Sequence, residues 1–154
     1  MMGAKRPVAL WVISAFLLFT LVMILIGQTM AVFDYGFTVR LGLQESAEEV
    51  SEFGVQVNRA FGASDTFIYI PLIAASLIGL LSRKRWSLLT AAAVMGISAY
   101  WATTHIFMMF IFLKGVAGYN FDAGPGYLSI MSTYIIFGVW GLLYLIFKVD
   151  RLTG

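Results

Sequence analysis

The chain has 154 residues, of which 60% are hydrophobic and 12% charged, with a formal net charge of +2 and no cysteine. Soluble domains are nearer half apolar and a quarter charged, so the composition argues against an ordinary water-soluble fold. The basic residues form no long run, which leaves nucleic-acid binding without an electrostatic footprint. The missing thiols exclude disulfide frameworks, thiol redox chemistry, cysteine-ligated zinc and iron–sulfur clusters. The length suits one membrane domain over 1–154.

A spanning helix needs about 20 mostly apolar residues, and four stretches qualify: about 8–32, 66–81, 87–113 and 127–147. None contains Asp, Glu, Lys or Arg. The expected fold is therefore an all-α integral membrane protein, a bundle of four transmembrane helices. The first stretch is longer than the apolar core of a signal peptide and no A-x-A site follows it, so it is read as a retained span. Small residues recur at four-residue spacing as Ala75 and Gly79, then Ala92 and Gly96, in spans joined by the short turn Ser82–Trp86. Close backbone approach drives helix pairing in lipid, so this seam is expected to be the tightest. Gly138 and Gly141 give the fourth span a second smooth patch.

Charge placement orients the bundle. The end with both termini carries Lys5, Arg6, Arg83, Lys84, Arg85, Lys148 and Arg151 against Asp150 alone. The other end carries Arg40, Arg59 and Lys114 against seven carboxylates. The positive-inside rule then predicts cytoplasmic termini and a plasma (inner) membrane location, with outer loops at 33–65 and 114–126.

The first outer loop divides in two. Phe37 to Gln44 alternates apolar and polar residues, which predicts a short extended segment facing the second loop near Val116–Phe121, or an irregular loop. Glu45 to Phe61 changes to helical period: Glu45, Glu48, Glu49 and Glu52 share one face, and Val50, Phe53, Val57 and Phe61 another. An amphipathic helix is expected there, acting as a lid, a docking surface or a solvated face. Its acidic face is the wrong sign for gripping anionic lipid. Gly62 to Asp65 is expected to end it, with Ser64 or Asp65 capping the next span.

Polar residues inside the spans gather toward the outer side: Gln28, Tyr69, Thr104, His105, Thr133 and Tyr134. Such groups usually face a bundle interior or a wet cavity. His105, the only histidine, lies roughly 12 Å from the outer end of its span, with Trp101 four residues before it. Three roles compete for His105. It hydrogen-bonds Tyr134, Thr133 or Gln28 as a structural group. It lines a ligand site with Trp101, Gln28, Thr104, Tyr134, Thr133 and Tyr69 for a lipid, quinone or similar amphiphile. Or it ligates a metal or haem with a methionine, the weakest option because convergent ligands are missing. Asp34, Arg40 and Asp65 are candidates for an outer polar cluster.

No phosphate loop, dinucleotide fingerprint, zinc-protease motif or nucleophile elbow is present, and no cofactor or metal is expected. The order of four spans, long first outer loop, short inner turn and shorter second outer loop resembles claudin-type tetraspan proteins, whose outer loops form a small sheet. Their Trp-Gly-Leu-Trp and paired-cysteine signature is absent, so the likeness is one of topology and assigns no family. The first functional expectation is a non-catalytic accessory subunit or interaction module, joining a protein partner or its own copies through the spans and outer loop. The alternative is a small membrane enzyme or binding protein for a hydrophobic ligand held around His105.

Overall fold

The computed structural model describes residues 7–148, so Lys5, Arg6, Asp150 and Arg151 lie outside the described residues. The fold is all-helical, with no strand among the described residues. Four helices are long and apolar enough to cross a membrane: α1 (Val8–Phe33), α3 (Ala47–Leu81), α4 (Trp86–Phe112) and α5 (Pro125–Phe147). A short helix, α2 (Tyr35–Arg40), follows α1. The end of the bundle holding α2 and the start of α3 is called the cap end below. The end holding the α3–α4 connection is the turn end.

The extended segment expected over Phe37–Gln44 is absent. Asp34 breaks α1 with φ −141° and ψ 86°, and its carboxylate accepts a 2.9 Å hydrogen bond from the Phe37 N–H. This N-cap satisfies a first-turn donor and starts α2 where alternation pointed to a strand. Thr38 is fully buried and returns its hydroxyl to the Tyr35 carbonyl at 2.7 Å. Gly42, at φ +68°, then turns the chain toward α3.

The amphipathic segment is helical, but it does not end at Gly62–Asp65. It runs without a break into the second span, so α3 is 35 residues long. Gly62 is a packing residue: a Cβ there would lie 2.5 Å from the Gln28 carbonyl oxygen of α1. Beside it, the Thr66 hydroxyl donates to the Gly62 carbonyl at 2.7 Å and meets Thr29 at 2.9 Å. Neither Ser64 nor Asp65 is a cap. The cap is Ser46, in a capping box whose Glu49 carboxylate accepts from the Ser46 N–H at 2.7 Å.

Glu45 precedes the helix and leaves the acidic face expected of it. That face is broken again at Ser51, where φ is 65° and ψ 166°. Val50 before the kink and Val55 after it are buried, while Phe53 is 79% exposed. The second loop closes over the kink. Asn120 donates its backbone N–H to the Glu49 carbonyl and its Nδ2 to the Glu48 carbonyl at 3.3 Å. These carbonyls lose their helical partners at the kink, and the loop-to-loop contact replaces the expected strand pairing.

One buried apolar cluster joins all four long helices, with Ile13, Leu17, Ile73, Ala91, Val94, Met95 and Ala102 almost wholly enclosed. Hydroxyls in the helices bond back to the preceding turn, as Ser14 to Leu10 and Ser76 to Leu72, both at 2.8 Å. At the turn end, Lys84 N–H bonds the Gly79 carbonyl and Arg83 N–H the Leu80 carbonyl, with Arg83 at φ 57°. This closes α3 with a Schellman arrangement.

The expected seam is tight at Gly79, where a Cβ would lie 2.5 Å from Ser87 Cβ, and open at Gly96. Gly79 faces Ser87 and Trp86 beside the turn, and Gly96 has only Leu142 at 3.9 Å. α4 also pairs closely with α5, where a Cβ on Gly138 would lie 2.8 Å from both the Met95 carbonyl oxygen and the Ala99 nitrogen. Spacing alone could not rank two glycine patches. Gly138→Leu is therefore expected to destabilise the bundle by about 1–3 kcal/mol through overpacking. Gly96→Ala is expected to be neutral or stabilising, since the helix gains by about 0.5–1 kcal/mol. Thermal unfolding in detergent reads both, and equal losses would refute the assignment.

Candidate functional site

Toward the cap end, α1, the Gly42–Glu45 segment, α3, α4 and α5 enclose a cavity of about 110 Å³. Its apolar wall includes Met23, Ile24, Leu43, Phe61, Ile130 and Met131, and its polar wall Gln28, Gln44, Glu45, Asn58, Trp101, His105, Tyr127 and Tyr134. A smaller cavity of about 30 Å³ shares Glu45, Asn58, His105 and Tyr127. A third, of about 240 Å³, lies under α2 and Phe121 and shares Leu43, Gln44, Glu45 and Tyr127 with the first. Glu45 and Tyr127 thus border all three spaces.

His105 does not bond Tyr134, Thr133 or Gln28. Its Nδ1 meets the Trp101 carbonyl, one turn earlier, at 2.9 Å, and the two rings lie 4.3 Å apart. A carbonyl only accepts, so Nδ1 carries a proton. Trp101 also meets Tyr134 edge-on, with centroids 5.8 Å apart. Its indole Nε1 is buried without a hydrogen-bond partner, and so is Gln28 Oε1. Buried polar groups normally find a partner, and both residues line the same cavity.

Of the residues expected at a site, the structure gathers Gln28, Trp101, His105 and Tyr134 around one space. Tyr69 lies elsewhere, buried, with its hydroxyl 2.6 Å from Ser98 and 3.2 Å from the Val94 carbonyl, bracing α3 to α4. Thr133 bonds back to Ser129 at 2.8 Å, and Thr104 is not among the cavity residues. The expected cluster of Asp34, Arg40 and Asp65 serves separate places. Asp34 caps α2, and Arg40 lies over the Phe37 ring at 5.9 Å. Asp65 turns toward the bundle interior, within electrostatic reach of Tyr69 and Tyr134, with a buried unpartnered Oδ2.

Glu45, Asn58, Gln44 and Tyr127 are site residues that the sequence reading missed. Asn58 donates its Nδ2 to Glu45 Oε2 at 2.8 Å and to the Tyr35 hydroxyl at 3.0 Å, and that hydroxyl donates to the Glu45 carbonyl at 2.9 Å. Gln44 Nε2 reaches the Gly27 carbonyl at 3.2 Å. Tyr35 and Tyr119 both titrate above the ordinary tyrosine value, chiefly because burial disfavours the phenolate, with the Glu45 carboxylate adding to it. A signal for Asn58 existed: Asn58, Gly62, Asp65 and Tyr69 follow a helical three- and four-residue rhythm if α3 is read as unbroken.

Three helices carry a π-helical stretch toward this end: Ile24–Thr29, Asp65–Tyr69 and Met108–Phe112. The first contributes Ile24, Gly27 and Gln28 to the main cavity, and the third contributes Met108 and Met109 to the small one. Such wide turns are frequent at functional sites. Among the described residues, no group of three His, Asp or Glu side chains is placed to hold a metal ion.

The fold and cavity define the class as a four-helix bundle with spans long and apolar enough for a membrane. The chain matches no family model, no curated protein and no solved structure.

The roof of the site depends on the Ser51 kink, whose φ and ψ cost a non-glycine residue about 1–3 kcal/mol. Ser51→Gly is expected to stabilise the cap by about 1 kcal/mol, since the Ser51 hydroxyl accepts only a 3.5 Å bond from the Gly54 N–H and glycine replaces such a capping serine at a cost of only a few tenths. Slower amide exchange over 47–60 is the readout, and faster exchange would contradict it.

Proposed function

We propose that this chain is a membrane protein that holds the polar head of an amphiphile, a lipid or a quinone, in the cavity around His105. The observation that carries this reading is the pairing of a cavity with unused hydrogen-bonding groups. Gln28 Oε1 and Trp101 Nε1 are buried and unpartnered on residues that border the same space. A ligand that supplies those bonds recovers the cost of burying them, about 1–3 kcal/mol per group. The mixed wall of apolar side chains with a few convergent polar ones is that of a small-molecule site.

The accessory-subunit reading rests on a different feature. An apolar groove of about 240 Å³ lined by Val12, Ile136, Phe137 and Trp140 lies on the outside of the bundle. It offers a seat to a partner helix, and a larger complex in native extracts would favour it.

Binding of amphiphiles to the protein in nanodiscs tests the main reading. Trp101→Phe keeps the ring and removes the Nε1–H. It is expected to weaken binding about two- to tenfold, the value of one net hydrogen bond. A protein that carries no amphiphile through purification and takes up none would end the proposal.

The reading also includes an orientation. Arg83, Lys84 and Arg85 at the turn end support cytoplasmic termini in a plasma (inner) membrane, with the α3 cap on the far side. The absence of native cysteine makes labelling direct. Glu48→Cys is expected to react with an impermeant maleimide in intact cells, and Lys84→Cys only after the membrane is opened. The reverse pattern would invert the topology.

A further inference from the structure

Asp65 is a carboxyl group that the His105 cavity does not use, since it is not among the cavity residues. It opens the π-helical stretch of α3, where the Ile70 N–H reaches back five residues to the Asp65 carbonyl. Leu81 ends α3 at the turn end, about 24 Å away at 1.5 Å per residue. Measured from that end, a hydrocarbon core of about 30 Å includes Asp65. Ionisable groups at such depth are costly and mark proton or ion sites.

The charged form of Asp65 has no compensation on any side. Its Oδ2 is buried without a hydrogen-bond partner. Tyr69, one turn further along α3, has a single O–H proton, and its partners are Ser98 and the Val94 carbonyl on α4. The facing stretch of α1, Ile24–Thr29, holds no charged or titratable residue. Within it, Thr29 is taken by Thr66, and Gln28 Oε1 is an acceptor without a partner of its own. On α5, Tyr134 is the titratable group within electrostatic reach. On α4, Tyr100 is 73% exposed on the outside, and His105 does not act on the carboxyl. Among the described residues, neither does any Lys or Arg.

Burying an unpaired carboxylate is expensive enough that the group takes a proton instead. The neutral acid carries a donor of its own.

We propose that Asp65 is a proton-binding site inside the bundle: the neutral acid is the form that packs, and loss of its proton opens α3 from α1. The O–H bond of the acid breaks and the proton passes to water. The neutral form suits the close approach beside it, where Gly62 rests on the Gln28 carbonyl and Thr66 on Thr29. A carboxylate next to that contact must draw in water or a counter-ion, and the two helices part to admit either. The site is independent of what the His105 cavity binds.

Asp65→Asn keeps the shape of the neutral acid and has no proton to lose. Asp65→Leu serves if the first variant does not fold. In nanodiscs, infrared difference spectra between about pH 5 and pH 9 are expected to show a carboxylic-acid carbonyl band in the wild type that both variants lack. The folded protein then holds one more proton than the unfolded chain over this window, so stability falls as pH rises. Across it the melting temperature of the wild type is expected to drop by about 3–6 °C more than that of Asp65→Asn. Amide exchange over 62–70, corrected for its intrinsic pH dependence, should quicken with pH in the wild type alone. A band that persists unchanged in the variants, or is missing from the wild type, means that Asp65 holds no proton, and the proposal falls. Should the wild type lack the band and gain stability with sodium where the variants do not, the occupant is a metal cation instead. If the band is lost in the variants while exchange is the same in all three proteins, the proton site stands and its link to helix packing is overturned.

Discussion

The contact between Gly62 and the Gln28 carbonyl governs how the cap is joined to the bundle. Only a residue without Cβ fits there, because one would stand 2.5 Å from the oxygen. The approach lets α3 run unbroken from the Ser51 kink to the turn end. It also brings α3 close beside the π-helical stretch of α1 and sets Thr66 against Thr29. An unbroken α3 is what stacks Asn58 above Gly62, Asp65 and Tyr69 on one face. Asn58 can then hold Glu45, which would otherwise be a loop carboxylate free in solvent. Arg59 reinforces the joint by donating to the Val32 carbonyl at 3.0 Å, near the end of α1. A cation at a helix C-terminus is electrostatically favoured.

A second constraint is the cost of an unpaired polar group among apolar helices. Away from the cap the chain meets it locally, by hydroxyls that bond back four residues and by the Tyr69–Ser98 brace. Around the cavity it is not met: Gln28 and Trp101 keep buried atoms without partners. The contrast within one bundle matters more than any single atom. The same sequence that satisfies its hydroxyls elsewhere leaves a set of groups unsatisfied where there is also space.

Much of the architecture was legible in the sequence because hydropathy and charge act over whole segments. Four long apolar runs became four long helices, and polar residues from three spans, Gln28, Trp101, His105 and Tyr134, met at one place. What was not legible depended on single residues with two meanings. Gly62 looks like a helix stop and is a packing surface. Phe37–Gln44 alternates like a strand, but Asp34 supplies a cap and two helical turns form instead. Ser46 and Glu49 were readable as a capping box, and that reading would have placed Glu45 outside the helix. The Ser51 kink left no sequence signal, since it is held by Asn120 from the distant second loop.

The acidic character of the cap takes on a different sense once Glu45 is located. Glu48 and Glu52 are exposed and keep the solvated role open to any surface carboxylate. Glu45 sits among Tyr35, Asn58, Tyr119 and Tyr127 and borders the space beside His105. Under the proposed binding reading, a carboxylate placed there would select by exclusion. It costs little toward a neutral head, which can donate to it, and much toward an anionic one, which it repels in a poorly hydrated site. The charge asymmetry that first served to orient the chain thus bears on which molecules the cavity can admit.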